Sequence, residues 1–94
     1  MNIRRLALDV DKAVARPSIV ELTRAVAASK GVEAVNVTVT EIDLETVGMD
    51  ITVEGQDIDC EALMKAIDDA GAVVNSIDQI AAGTHLIEGS ARKR

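Results

Sequence analysis

Apolar residues recur along this chain with two spacings, and the switches between them mark out its elements. In Ile3 to Val10, Leu6, Leu8 and Val10 alternate with Arg5, Ala7 and Asp9, the mark of a strand with one buried face. Asp11 to Arg16 has no clear periodicity and reads as a connection. From Ser18 to Lys30 the spacing becomes helical, with Ile19, Leu22 and Val26 on one side and Ala25 beside them. Ser18 and Glu21 have the spacing of a capping box, and Lys30 and Gly31 supply the cation and the φ-tolerant residue that close a helix.

Alternation resumes at Val35, Val37 and Val39 and then slips by one residue, so that Ile42 and Leu44 are apolar while Glu41, Asp43 and Glu45 are polar. A one-residue slip moves side chains to the other face, which predicts a bulge or sharp twist near Thr40-Glu41. The hairpin beyond it is expected to project past the helices, leaving Ile42 and Leu44 in need of a partner. Met49, Ile51 and Val53 form the inner face of a third strand, and Gly55-Gln56-Asp57 reads as a turn. Asp59 is the expected N-cap of a second helix with Leu63, Ala66, Ile67 and Ala70 as its inner stripe. A weaker alternation runs from Val73 to Ala82, a short extension from Thr84 to Glu88, and residues 89–94 are expected to form a disordered basic tail.

Helix, glycine, strand therefore occurs twice. With the first strand and the hairpin, the order is βαββαβ, an α+β ferredoxin-like sandwich: an antiparallel four-stranded sheet with two helices on one face. Residues 1–88 are expected to be its single domain.

Composition narrows what this scaffold does. At 94 residues the chain is near the small end of what completes its own core, so association with other copies is a natural way to finish burial. Phe, Tyr and Trp are absent, so aliphatic residues and Met must fill the core, and no ring is available to stack on a base. The net charge of -6, with Arg92-Lys93-Arg94 concentrating three cations at one end, leaves an acidic body that disfavours a nucleic-acid partner. No apolar run spans a bilayer, no segment resembles a signal peptide, and Cys60 has no partner within the chain, all of which point to a cytoplasmic protein without a membrane partner.

Few residues suggest chemistry. Glu41, Asp43 and Glu45, spaced two apart, would share one face of a strand, with Asp50 or Glu54 joining from its neighbour, and hard cations such as calcium or magnesium want several such oxygens. The plainer reading is a solvated edge whose charges discourage wrong strand pairing. Cys60 falls in the first turn of the second helix, where the dipole favours thiolate, but Asp57, Asp59 and Glu61 oppose it, and a structural cysteine is expected. His85 has no second histidine and no Cys-x-x-Cys to share a soft metal, which argues against a metallochaperone.

The run Gly31 to Thr46, the segments Ile51 to Gly55 and Asp57 to Asp59, and Ser76-Ile77-Asp78-Gln79-Ile80-Ala81-Ala82-Gly83 together resemble domain-of-unknown-function family 211, small and mainly archaeal proteins. The resemblance covers roughly Ile3 to Ile87 and implies a ferredoxin-like fold and assembly into rings and higher oligomers, with no particular activity. The chain departs from the family pattern after Val10, where Lys-Pro-His is common and Asp11-Lys12-Ala13 stands here, and at Thr84, where a basic residue is usual.

The expectation is a non-enzymatic, self-assembling homo-oligomer with Ile42 and Leu44 in its interface, serving as a regulatory or small-ligand-binding module with sites between subunits. The alternative is a calcium- or magnesium-binding protein using Glu41, Asp43 and Glu45. A third reading is a small enzyme whose intersubunit site uses Cys60 or Asp78. No catalytic set and no cofactor site is assigned.

Overall fold

A computed structural model describes residues 1–88. The elements are β1 (Ile3–Ala13), α1 (Ile19–Ala27), β2 (Val32–Ile42), β3 (Thr46–Gly55), α2 (Cys60–Ala70) and β4 (Ala72–Ala82). The strands form one antiparallel sheet in the order β2-β3-β1-β4. This is the expected α+β ferredoxin-like arrangement.

Both helices begin at the residues their sequences mark. Glu21 N–H donates to the Ser18 hydroxyl over 3.0 Å while Ser18 N–H donates to the Glu21 carboxylate over 2.9 Å, completing the capping box. Asp59 caps α2 by accepting from Ala62 N–H at 3.0 Å, and Gly71 closes it in the left-handed region at φ 98°. α1 ends at Ala27, earlier than the expected Lys30, because Ala28 caps it and Val32 N–H then turns back to the Ser29 carbonyl.

Leu22 and Val26 of α1 and Leu63 and Ile67 of α2 join Leu6, Leu8 and Val10 of β1 and Met49, Ile51 and Val53 of β3 in one aliphatic cluster. Every strand residue in it comes from one side of the sheet, so both helices lie on that side and the opposite face is open. At roughly 1.5 to 3 kcal/mol per fully buried large aliphatic side chain, this cluster is the main favourable term, and no aromatic ring is needed.

One strand boundary differs instructively from expectation. β1 continues three residues past Val10, pairing Asp11 with Gly48, Lys12 with Val47 and Ala13 with Thr46. Lys12 continues the Leu6-Leu8-Val10 phase, and its stem is buried to 6% exposure, so a charged residue hid a strand position. At the other end of the sheet, Gln56 N–H donates to the Gly31 carbonyl at 3.0 Å. A side chain at Gly55 would run into that same carbonyl, so the expected turn begins in a backbone contact that only glycine permits.

Candidate functional site

The β2–β3 hairpin tip is the region where apolar surface and acidic side chains meet. Register shifts between Val39 and Glu41, so a bulge falls at Thr40, as the sequence slip predicts. Its effect is the reverse of the expected one. Val39 pairs with Met49 and Ile42 with Val47, and residues two apart on β3 share a face. The extra residue thus cancels the slip and keeps Ile42 on the helix side of the sheet, in line with Val35, Val37 and Val39. Ile42 remains 74% exposed because the helices do not cover the edge strand this far out.

β2 stops at Ile42, and Asp43, Leu44 and Glu45 form the loop. Asp43 N–H donates to the Thr46 carbonyl at 2.8 Å, and Leu44 N–H donates to the Asp43 carboxylate at 2.8 Å. Leu44 is left 92% exposed. The Glu45 carbonyl accepts from Val14 N–H at 3.0 Å, which brings the half-exposed Val14 beside the tip.

Glu41, Asp43 and Glu45 therefore do not share the expected strand face. Only Glu41 lies on the strand, and a loop does not hold the other two at strand spacing on its face. Among the described residues no three Cys, His, Asp or Glu side chains are grouped to hold a metal ion. Glu41 instead flanks Gly48 together with a residue the sequence does not suggest, Asp11. At Gly48, where no side chain intervenes, a Cβ would stand 3.2 Å from an Asp11 carboxylate oxygen and 3.6 Å from Glu41 Cβ. One rung along, Asp9 is directly opposite Asp50. These contacts are set by cross-strand register, which no local pattern reveals.

Beside the tip lies an open cleft of about 380 Å³, with Lys12, Thr46, Glu45 and Gly71 among its lining. The Lys12 ammonium donates to the carbonyls of Ala13 at 2.9 Å and Val14 at 3.4 Å. Its burial follows from strand alternation, which carries the Leu6-Leu8-Val10 positions on to position 12 beneath a charged side chain.

The other singled-out residues lie apart from the tip in sequence and role. Cys60 is the first residue of α2, half-buried and free, and packs against the core. Asp78 is exposed and accepts a 2.7 Å bond from the Ser76 hydroxyl. His85 is exposed, and among the described residues the Thr84 hydroxyl stands 3.3 Å from its Nδ1. Arg5 on the open face reaches Glu54 at 2.7 Å and Glu88 at 3.1 Å, tying the segment after β4 to the sheet. The hydrogen bond to Arg5 holds the Glu88 carboxyl below its ordinary range, and the same bond, with that to Glu54, raises Arg5.

Residues 4–94 match the family model described as "Uncharacterized ArCR", domain-of-unknown-function family 211. The chain belongs to this family. The uncharacterized protein MJ0319 of Methanocaldococcus jannaschii, an archaeal relative, is 35% identical over 87 residues, covering 93% of this chain and 89% of the relative. The match thus spans nearly the whole chain, including the expected stretch from about Ile3 to Ile87. No helix among the described residues is long and apolar enough to cross a membrane. The expected disordered tail, residues 89–94, lies outside the described residues.

Proposed function

We propose that this family 211 protein is a non-enzymatic, self-assembling module whose subunits associate through the β2–β3 hairpin tip. The carrying observation is the pair Ile42 and Leu44, 74% and 92% exposed at the end of a hairpin that the protomer's own helices do not reach. Such a pair loses water contact only against another surface, and a second copy is the partner always present. β2 and β4, the unpaired edges of the sheet, give a neighbour backbone groups to bond as well. A ring is one closed form of this homo-oligomer. The cleft over Lys12 opens beside the same tip, so a neighbour would complete its wall, making it the place for a small regulatory ligand between subunits.

Within this reading the protein works in the cytoplasm, with no nucleic-acid or membrane partner, consistent with its acidic body and its single, unpaired cysteine. A calcium or magnesium site on Glu41, Asp43 and Glu45 would need oxygens from a neighbouring subunit, since the loop disperses the three within one protomer. A calcium-dependent rise in Tm that Asp43→Asn removes would establish it.

Light scattering on the purified full chain tests the assembly. A particle several times the 9.9 kDa protomer is expected at micromolar concentration, and Leu44→Asp should reduce it toward the protomer while the far-ultraviolet circular dichroism stays unchanged. A monomeric wild type would end the proposal.

A further inference from the structure

Beyond Arg5, the open face of the sheet carries a one-signed stretch. β1 presents Asp9 and Asp11 there, Asp50 stands directly opposite Asp9, and Glu41 and Asp11 flank Gly48. Like charges directly opposite on neighbouring strands repel and destabilise the pair. Among the described residues the ion pairs are Arg5 with Glu54, Arg5 with Glu88, and Lys65 with Asp69, so none neutralises this acidic stretch. Its neighbours on the face include Thr38, Thr52 and Gly48 on one side and Ser76, opposite Asp9, and Val73, opposite Asp11, on the other, so Val73 is the bulky residue beside the carboxylates.

A cation on that face, Arg5, also directs the chain to it. Arg5 holds Glu88 with two hydrogen bonds, of 3.1 and 3.3 Å, although Glu88 lies 83 positions away in sequence. The six residues that follow Glu88 end in Arg92-Lys93-Arg94. From that anchor, reach and charge agree. Asp9 lies four residues beyond Arg5 on β1, a rise of about 13 Å, and Arg92 lies four residues beyond Glu88, which an extended chain covers at about 3.3 to 3.6 Å per residue. Asp11 lies two residues further along β1, as Arg94 lies two residues beyond Arg92.

We propose that the open acidic face around Asp9, Asp11 and Asp50 is the docking surface for the chain's own Arg92-Lys93-Arg94, delivered to it by the Glu88–Arg5 anchor. The tether raises the effective concentration of the triplet at the face to the millimolar range of short linkers, so individually weak surface ion pairs suffice. Docking offsets the Asp9–Asp50 repulsion and makes the face competitive: a basic ligand or a second copy reaching it must displace the triplet. Asp11 also lines the cleft beside the hairpin tip, whereas Asp9 and Asp50 do not, so variants at Asp9 and Asp50 test the docking apart from subunit assembly.

Trypsin cleavage after Arg92 and Lys93 in the intact chain, followed by mass spectrometry, reads the docking directly. At low salt, cleavage should be several-fold slower in the wild type than in Asp9→Asn/Asp50→Asn. The difference should vanish near 1 M salt, where the Debye length falls to about 3 Å. Glu88→Gln, which keeps the acidic rung but weakens the anchor, should also speed cleavage. The Asn pair relieves a repulsion and adds no bulk, and circular dichroism verifies its fold. Equal rates in wild type and both variants at low salt would overturn the proposal. So would protection that fades on dilution, which would assign the triplet to the face of another copy.

Discussion

The base and the tip of the β2–β3 hairpin are built from the same alternation of β-branched and polar residues and end in opposite states. At the base, Val53 and Ile51 are fully buried, Val35 and Val37 pack against them, and Gly55 lies against the Gly31 backbone with no room for a side chain. At the tip, Ile42 and Leu44 are exposed. Length explains the difference: eleven residues of β2 span about 36 Å as a strand, and nine residues of α1 span about 14 Å as a helix. A helix of that length covers less than half of the edge strand beneath it. Burial at the base is therefore the protomer's own, and burial at the tip has to come from outside.

Substitutions at the base should cost the fold and those at the tip should cost the assembly. Gly55→Ala is expected to have the largest effect, because its Cβ would overlap the Gly31 carbonyl and crowd the Glu33 backbone nitrogen. A loss on the order of 4 kcal/mol or more, read by urea unfolding, places it among the exceptional class of substitutions. Ile51→Ala should cost about 2 to 5 kcal/mol by cavity formation, and a loss under about 1 kcal/mol would mean that the base is not the packed end. Ser18→Ala removes the cap of α1, the helix packed on β2, and should cost about 1 kcal/mol. Leu44→Asp should change protomer stability by no more than about 0.5 kcal/mol while dissociating the oligomer. If it unfolds the protomer instead, the tip and the base are one unit.

The smallest effect concerns Arg5, which joins the base through Glu54 to the segment after β4 through Glu88. Because Arg5 holds the Glu88 carboxyl below its ordinary range, Glu88 contributes stability that is present above its unfolded pKa. That contribution is lost as pH falls through the lowered folded value. Denaturant midpoints measured across the acidic range should show a slightly shallower decline in Glu88→Gln than in the wild type. Identical slopes would leave the anchor without weight in solution.

Much of the fold is legible from local pattern alone. Ser18 with Glu21, Asp59, and Gly71 mark helix ends through bonds made within a few residues, so their meaning travels with the sequence. The slip after Val39 likewise announces a bulge, and the runs that match family 211 place the chain in that family. Which face Ile42 takes was decided by the register against Val47, and that register converts an apparent flip into continuity. Lys12 reads as loop because its charge interrupts the pattern, yet pairing with Val47 carries it into the buried phase. Asp11 and Glu41 on either side of Gly48, Asp9 opposite Asp50 and Glu88 on Arg5 bring together residues 30 to 83 positions apart. The sequence by itself determined the elements, their caps and their order, because those depend on neighbours along the chain. Only the tertiary structure decided which charges face one another and which apolar residues are left uncovered, because those depend on strand register and on how far a short helix reaches along a longer strand.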